Sequence, residues 1–322
     1  MIIVTGTKRS GTSMWMQILA AAGLPVFGEA FPRNWGQTLR QANLEGFYES
    51  ILRSGIYWRT NPHPQSGAYF FPEQVATHAV KVFIPGLVRT DRAYIGRVIA
   101  SLRPWREYVR SLRRLWAMED EALAATHPDR KPPPRLSPAL EWWNENYMLL
   151  RDVAIRRYPV HLQTYDGLLE DPQGVLRRTF EWLGLPEPAT ALAAALDAVK
   201  PEHRTQRVDP SMARASEPTH EPGHDREEAE LDPEVVAVFD RLYHTIHASE
   251  PVGAELLTAL NAAHTVLAPR IAEQQRAISR ARQRQRARRR EDEHDAEAAA
   301  LDPLDPLDPL DPLDPQEELP SW

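Results

Sequence analysis

The chain has 322 residues, 42% of them apolar, enough to bury the core of one or two domains. It holds no cysteine, which excludes disulfides, thiolate metal sites and cysteine nucleophiles and fits a reducing compartment. The net charge of −7 is segregated: residues 291–322 carry 12 acids and no Lys or Arg, residues 276–290 carry eight arginines and no acid, and residues 1–275 are left at −3.

In chain order, Ile2–Thr5 reads as a strand. A helix follows in which Met14, Trp15, Ile18, Leu19 and Ala22 share one face, stopped by Gly23 and Pro25. Strand-like runs recur at Pro25–Phe27, His78–Ile84, Arg97–Leu102 and Val160–Thr164. Helical patterns lie at Arg106–Met118, Ala139–Ile155, Gly174–Leu183 and Thr190–Val199. This alternation predicts an α/β fold with a mostly parallel central sheet. Residues 201–232 are polar and rich in Pro, His and Glu, and read as a long loop. Val235, Val238, Phe239, Leu242 and Ile246 then mark a helix that Pro251 interrupts, and a second helical stretch runs on from Ala254. The arginine block and the acidic run after it read as a solvated helix or as disorder. Leu301–Pro315 is five Leu-Asp-Pro triplets, and proline at every third position forbids a regular helix or central strand, so a disordered tail is expected. The expected organisation is an α/β domain over 1–250, a helical extension over 251–290 and an acidic tail over 291–322. No leader-like segment opens the sequence and no run of 18 apolar residues occurs, so the expectation is a soluble cytoplasmic protein without a membrane partner.

The stretch TGTKRSGTSMW, Thr5–Trp15, joins the first strand to the first helix. A strand, a glycine turn and a helix N-terminus make an anion site, because the amides of the first helical turn lack partners and the helix dipole adds about half a positive charge. Gly6 and Gly11 permit a tight turn, Ser10, Thr12 and Ser13 bring hydroxyls, and Lys8 and Arg9 bring cations. The glycine spacing is that of a nucleoside-triphosphate loop, but Thr12 stands where such a loop carries lysine. A shorter anion, with its reactive group close to the loop backbone, suits cations placed inside the loop.

Arg9-Ser10-Gly11-Thr12-Ser13 resembles the 5′-phosphosulfate loop of sulfotransferases that use 3′-phosphoadenosine 5′-phosphosulfate (PAPS). The resemblance extends to Arg103 and Ser111, spaced like the pair that holds the 3′-phosphate in that family, although Pro104 follows Arg103 where the family reads Arg-Asp-Pro. It extends also to the segment from Gln163 through Leu185, in which Tyr165 corresponds to the family tyrosine near the adenine, and to Asn43–Glu49, similar to a segment on the acceptor side of bacterial members. These matches span residues 1–185. They imply a P-loop-type three-layer α/β/α fold, PAPS as co-substrate without a metal, and Lys8, Arg9, Ser10, Gly11, Thr12, Ser13, Arg103, Ser111 and Tyr165 as nucleotide contacts.

A hydroxyl acceptor also needs a base. Cytosolic members of the family use a histidine in a Lys-Thr-His-Leu-Pro stretch. The stretch here is Lys81–Pro85, with Phe83 at the histidine position. Other branches use a glutamate about twenty residues beyond the loop cation, a position Glu29 occupies. The expected catalytic set is therefore Arg9, Glu29 and Lys81, with Lys81 either touching the sulfuryl oxygens or facing water, and His63 and His78 as weaker bases. Glu119–Pro138 reads as a proline-rich loop suited to a lid. Trp35, Tyr57, Trp58, Tyr69, Phe70 and Phe71 are expected either to line an acceptor pocket or to pack. Arg204, Arg207 and Arg214 are candidates to close over the nucleotide.

The arginine block is followed at once by acids and has no interleaved aromatics, so it is read as a solvated tail or a contact for a protein partner rather than a nucleic-acid site. The acceptor is expected to be a small molecule or a peptide. Two other readings stay open: a P-loop nucleotide kinase with an altered loop, and a non-catalytic nucleotide-binding scaffold.

Overall fold

Alternating apolar residues in the first strand face opposite sides of a sheet, and each side recruits its own helices. In the computed structural model, which describes residues 1–31, 46–128, 130–185, 188–199 and 231–300 (backbone alone at 188, 285–286 and 288–300), that strand is β1, Ile2–Gly6, buried throughout. It is flanked by β2 (Val26–Phe27), β3 (Ala79–Lys81), β4 (Arg97–Leu102) and β5 (Val160–Thr164) in one all-parallel sheet of order β2-β3-β1-β4-β5.

Ile2 and Val4 pack with Ala79 and Ile99 against α1 (Thr12–Ala21), α6 (Pro172–Leu183) and α7 (Pro188–Asp197).

 The other side of the sheet, with Ile3, Val80, Val82, Val98 and Ala100, packs against α2 (Ile84–Arg89) and α4 (Pro138–Arg156). Helices thus cover both faces, giving three layers. The remaining described helices are α3 (Trp105–Thr126), α5 (Tyr165–Glu170), α8 (Pro233–His247) and α9 (Ala254–Ala300).

A third cluster lies beside the sheet. Phe239 of α8 is fully buried, stacked on Trp143 with ring centroids 4.7 Å apart and set edge-on to Trp105 at 5.8 Å. Leu256, Leu260, Ala263, Leu267 and Ile271 of α9 belong to the same core, and Ile278 packs against it. Among the described residues no helix is long and apolar enough to cross a membrane.

Two sequence expectations are corrected. The run from His78 to Ile84 is strand only over Ala79–Lys81, because Phe83 is the N-cap of α2 and Pro85 sits in its first turn, where proline's fixed φ favours helix. The expected lid loop over Glu119–Pro138 is helical as far as Thr126. Glu, Ala and Leu dominate Glu119–Ala125, and these are strong helix formers, so α3 runs on to Thr126. The helical alternative holds for the backbone of the arginine block, which lies within α9. Residues 201–230 of the loop expected over 201–232, Trp35, the first part of the Asn43–Glu49 segment, Arg204, Arg207, Arg214 and the tail from 301 lie outside the described residues.

Candidate anion site at the carboxyl edge of the sheet

The chain leaves β1 toward β3 and β2 on one side, then crosses back over β1 to reach β4 and β5 on the other. The carboxyl end of β1 is therefore the switch point of the sheet, where open α/β sheets form their ligand crevices. The loop Thr7–Gly11 stands there. Gly6 lies so close to Ser10 and to the Ser101 carbonyl that a Cβ would collide with both. Ser10 donates to the Thr7 carbonyl at 2.7 Å, and Ser101 donates to the Ser10 carbonyl at 2.5 Å, pinning the loop to β4. Arg9 adopts φ 65°, an unusual left-handed conformation for a residue with a side chain. The Thr7 hydroxyl is buried without a hydrogen-bond partner.

Gly11 is the N-cap of α1, with no side-chain cap and no acid in the first turn. The first helical bond shown is from the Trp15 amide to the Gly11 carbonyl at 3.1 Å, so the amides of Thr12, Ser13 and Met14 precede the helical ladder. Gly11 has φ +87°, and a Cβ there would strike the ring of Tyr165. Gly11→Ala is accordingly expected to cost about 1–3 kcal/mol and to displace Tyr165 from the loop, read as a lower melting temperature together with a changed tyrosine fluorescence.

Cations surround this turn. Arg9 donates through Nε to the Ser111 hydroxyl at 3.3 Å, and Arg103 donates to the Arg9 carbonyl at 3.2 Å. Arg103 also pairs with Glu107 at 3.1 Å and lies 5.7 Å from the Tyr165 ring. Burial, with the nearby Arg103 and Arg114 guanidiniums, pulls the pKa of Arg9 below its ordinary value. Lys81, at the end of β3, donates to the Ser13 hydroxyl at 3.1 Å, to the Phe47 carbonyl at 3.0 Å and to Glu49 at 2.9 Å. Its burial lowers its pKa, Glu49 opposes that, and Arg53 and Arg9 add to it. Lys8, half exposed, reaches Glu141 of α4 at 3.5 Å.

The expected nucleotide contacts and Lys81 thus fall into one region, whereas His78, whose carbonyl accepts from the Ile2 amide, stands at the amino edge of the sheet. Arg9, Ser10, Gly11, Ser13, Lys81, Arg103, Ser111 and Tyr165 are linked by the contacts above, Thr12 opens α1 beside them, and Lys8 turns toward α4. Glu29 is exposed; its backbone bridges to Glu49, the partner of Lys81. Of the expected acceptor-side aromatics, Phe70 is buried, whereas Trp58, Tyr69 and Phe71 are exposed.

No known family model and no curated protein sequence matches the chain.

Sequence reasoning missed Tyr108, Arg114, Glu141 and Glu145, and took Glu49 only as the end of the Asn43–Glu49 segment. Glu141 and Glu145 carried a signal, an i,i+4 carboxylate pair on a helix whose neighbours Trp142 and Trp143 are fully buried. A cavity of about 980 Å³, lined among others by Met1, Gly23, Leu24, Gly96 and Leu183, opens at the opposite, amino edge of the sheet and takes no part in this cluster. Among the described residues no group of three or more His, Asp or Glu side chains is placed to hold a metal ion.

Proposed function

We propose that the chain is a sulfotransferase, built on a P-loop-type α/β domain, that moves the sulfuryl group of PAPS to a hydroxyl or amine of a small-molecule or peptide acceptor. The observation that carries this reading is the contact between Arg9 and Ser111. These residues belong to two separate motif matches 102 positions apart, and they lie 3.3 Å from each other, with Arg103 and Tyr165 at the same loop.

The residues fit such an anion. The amides of the first turn of α1 and the hydroxyls of Ser10, Thr12 and Ser13 suit the 5′-phosphosulfate. Arg103 and Ser111 suit the 3′-phosphate, arginine by its planar fork of N–H groups. Tyr165 offers a ring face on the adenine side. When bound, PAPS supplies an activated sulfuryl group whose transfer places negative charge on the oxygen shared with the 5′-phosphate. Arg9 and Lys81 are the cations positioned to stabilise that charge, a task of position and electrostatics like that in phosphoryl transfer. A sulfuryl group carries less charge than a terminal phosphate, so these side chains can meet the demand without a metal clamp. Glu29, one backbone bridge from the partner of Lys81, is an exposed carboxylate on the β2 side of the loop, the base that the family resemblance implies.

Calorimetric titration with adenosine 3′,5′-bisphosphate, against ATP with Mg²⁺, tests the reading. Tighter binding of the bisphosphate is expected. A preference for ATP with Mg²⁺ would favour the kinase reading, and binding without transfer to any acceptor would favour a scaffold. Arg103→Ala is expected to weaken the bisphosphate by about 1.5–3 kcal/mol, the scale of hydrogen bonds to charged groups, and its 3′-hydroxyl analogue by much less. Equal losses for the two ligands would remove Arg103 from the 3′-phosphate.

A further inference from the structure

Helix α4 runs against the strand direction. At its start Trp142 donates to the carbonyl of Arg103, at the carboxyl end of β4; at its end Arg156 donates to the carbonyls of Leu87 and Thr90, toward the amino side. Its first two turns therefore stand on the edge that holds the loop. Glu141, in the first turn, is tethered: it pairs with Lys8 of the loop at 3.5 Å and accepts from the Tyr108 hydroxyl of α3 at 3.1 Å. Glu145 is one turn further along the same face. It is partly buried and makes no hydrogen bond or ion pair among the described residues.

The other carboxylates of the site are held. Glu49 is bound by Lys81 and Arg53, Glu107 by Arg103, and Glu141 by Lys8 and Tyr108. Glu29 is exposed. Among the described residues, Glu145 alone combines a position beside the loop lysine with a carboxylate that is neither engaged nor fully solvated.

Resting on the sulfotransferase reading, we propose that Glu145 is the proton acceptor of the transfer step. The acceptor's oxygen forms its bond to sulfur as the bond between sulfur and the 5′-phosphate oxygen breaks. That electron pair leaves on the phosphate, and the acceptor's proton passes to the Glu145 carboxylate and then to solvent. The charged and titratable groups around Glu145 are Glu141 on its own helix, Lys8 from the loop and Tyr108 from α3. Burial first, and then repulsion from Glu141, push its pKa up to about 8, with Lys8 opposing. A base of that strength is matched to work near neutral pH.

The sign of the pH dependence is fixed. A carboxyl whose folded pKa exceeds its unfolded value binds more protons in the folded state between the two. Stability conferred at low pH is therefore lost as pH rises from about 4.5 to about 8. Catalysis needs the ionised form, so turnover rises through the same upper limit and then levels.

The test compares wild type, Glu145→Gln, Glu145→Asp and Glu29→Gln by three measurements. These are melting temperature against pH, calorimetric affinity for adenosine 3′,5′-bisphosphate, and formation of that nucleotide from PAPS with water alone and with a panel of phenols and alcohols. Expected for Glu145→Gln are loss of the falling stability limb, bisphosphate affinity within twofold of wild type, and turnover at least about a hundredfold lower, with Glu145→Asp partly restoring the pH profile. The inference is overturned, with the sulfotransferase reading intact, if Glu145→Gln keeps wild-type turnover, or if Glu29→Gln alone abolishes transfer. Failure of the wild type to bind the bisphosphate overturns both.

Discussion

Under the proposed sulfotransferase function, Arg9→Ala is expected to slow transfer from PAPS about a hundredfold to a thousandfold, the usual consequence of removing one electrostatic contact to developing charge, or about 3–4 kcal/mol. The side chain is the one cation that lies inside the loop and also reaches Ser111 of α3. Its carbonyl, not its guanidinium, accepts from Arg103, so the alanine variant retains that backbone contact. The loss is thus expected in turnover more than in folding. Steady-state kinetics with denaturation of the same variant separates the two. A variant that loses only nucleotide affinity, with turnover at saturation unchanged, would move Arg9 from the reacting end of the ligand to its binding end.

Phe239→Ala is expected to cost about 3–5 kcal/mol of stability, the range for emptying a buried aromatic site. The ring contacts three tryptophans, Trp105, Trp142 and Trp143, with centroid distances of 5.8, 5.2 and 4.7 Å, and large rings around a void cannot collapse into it easily. Since domains are stable by only about 5–15 kcal/mol, such a loss is a large share of the total. Urea denaturation followed by tryptophan fluorescence measures it. A cost below about 1 kcal/mol would mean that α8 packs on the core far more loosely than these rings imply.

The sheet was legible because its strands are short apolar runs bounded by turns: Arg97–Leu102 and Val160–Thr164 are strands over the very residues that the pattern marked. The run after His78 was not, because apolarity alone does not separate a strand from the first turn of a helix, and Pro85 decides the matter only through its φ. The loop was legible because glycines, hydroxyls and cations lie within a few neighbouring positions. Glu145 was not legible as the base proposed for it. Its isolation from partners depends on how α4 crosses the end of β4, a property of packing that no local spacing encodes.

Tyr165 is held from behind as well as by the loop in front. Tyr243 of α8 donates to Asp166 at 2.6 Å, and His247, a turn later, lies 3.0 Å from the Thr164 hydroxyl, so both chain neighbours of Tyr165 are fastened to one C-terminal helix. A shortened gene ending near residue 200 would keep every recognisable signature and yet unfasten Tyr165 from its place beside the loop. Anyone trimming this protein for expression should count α8 as part of the minimal unit.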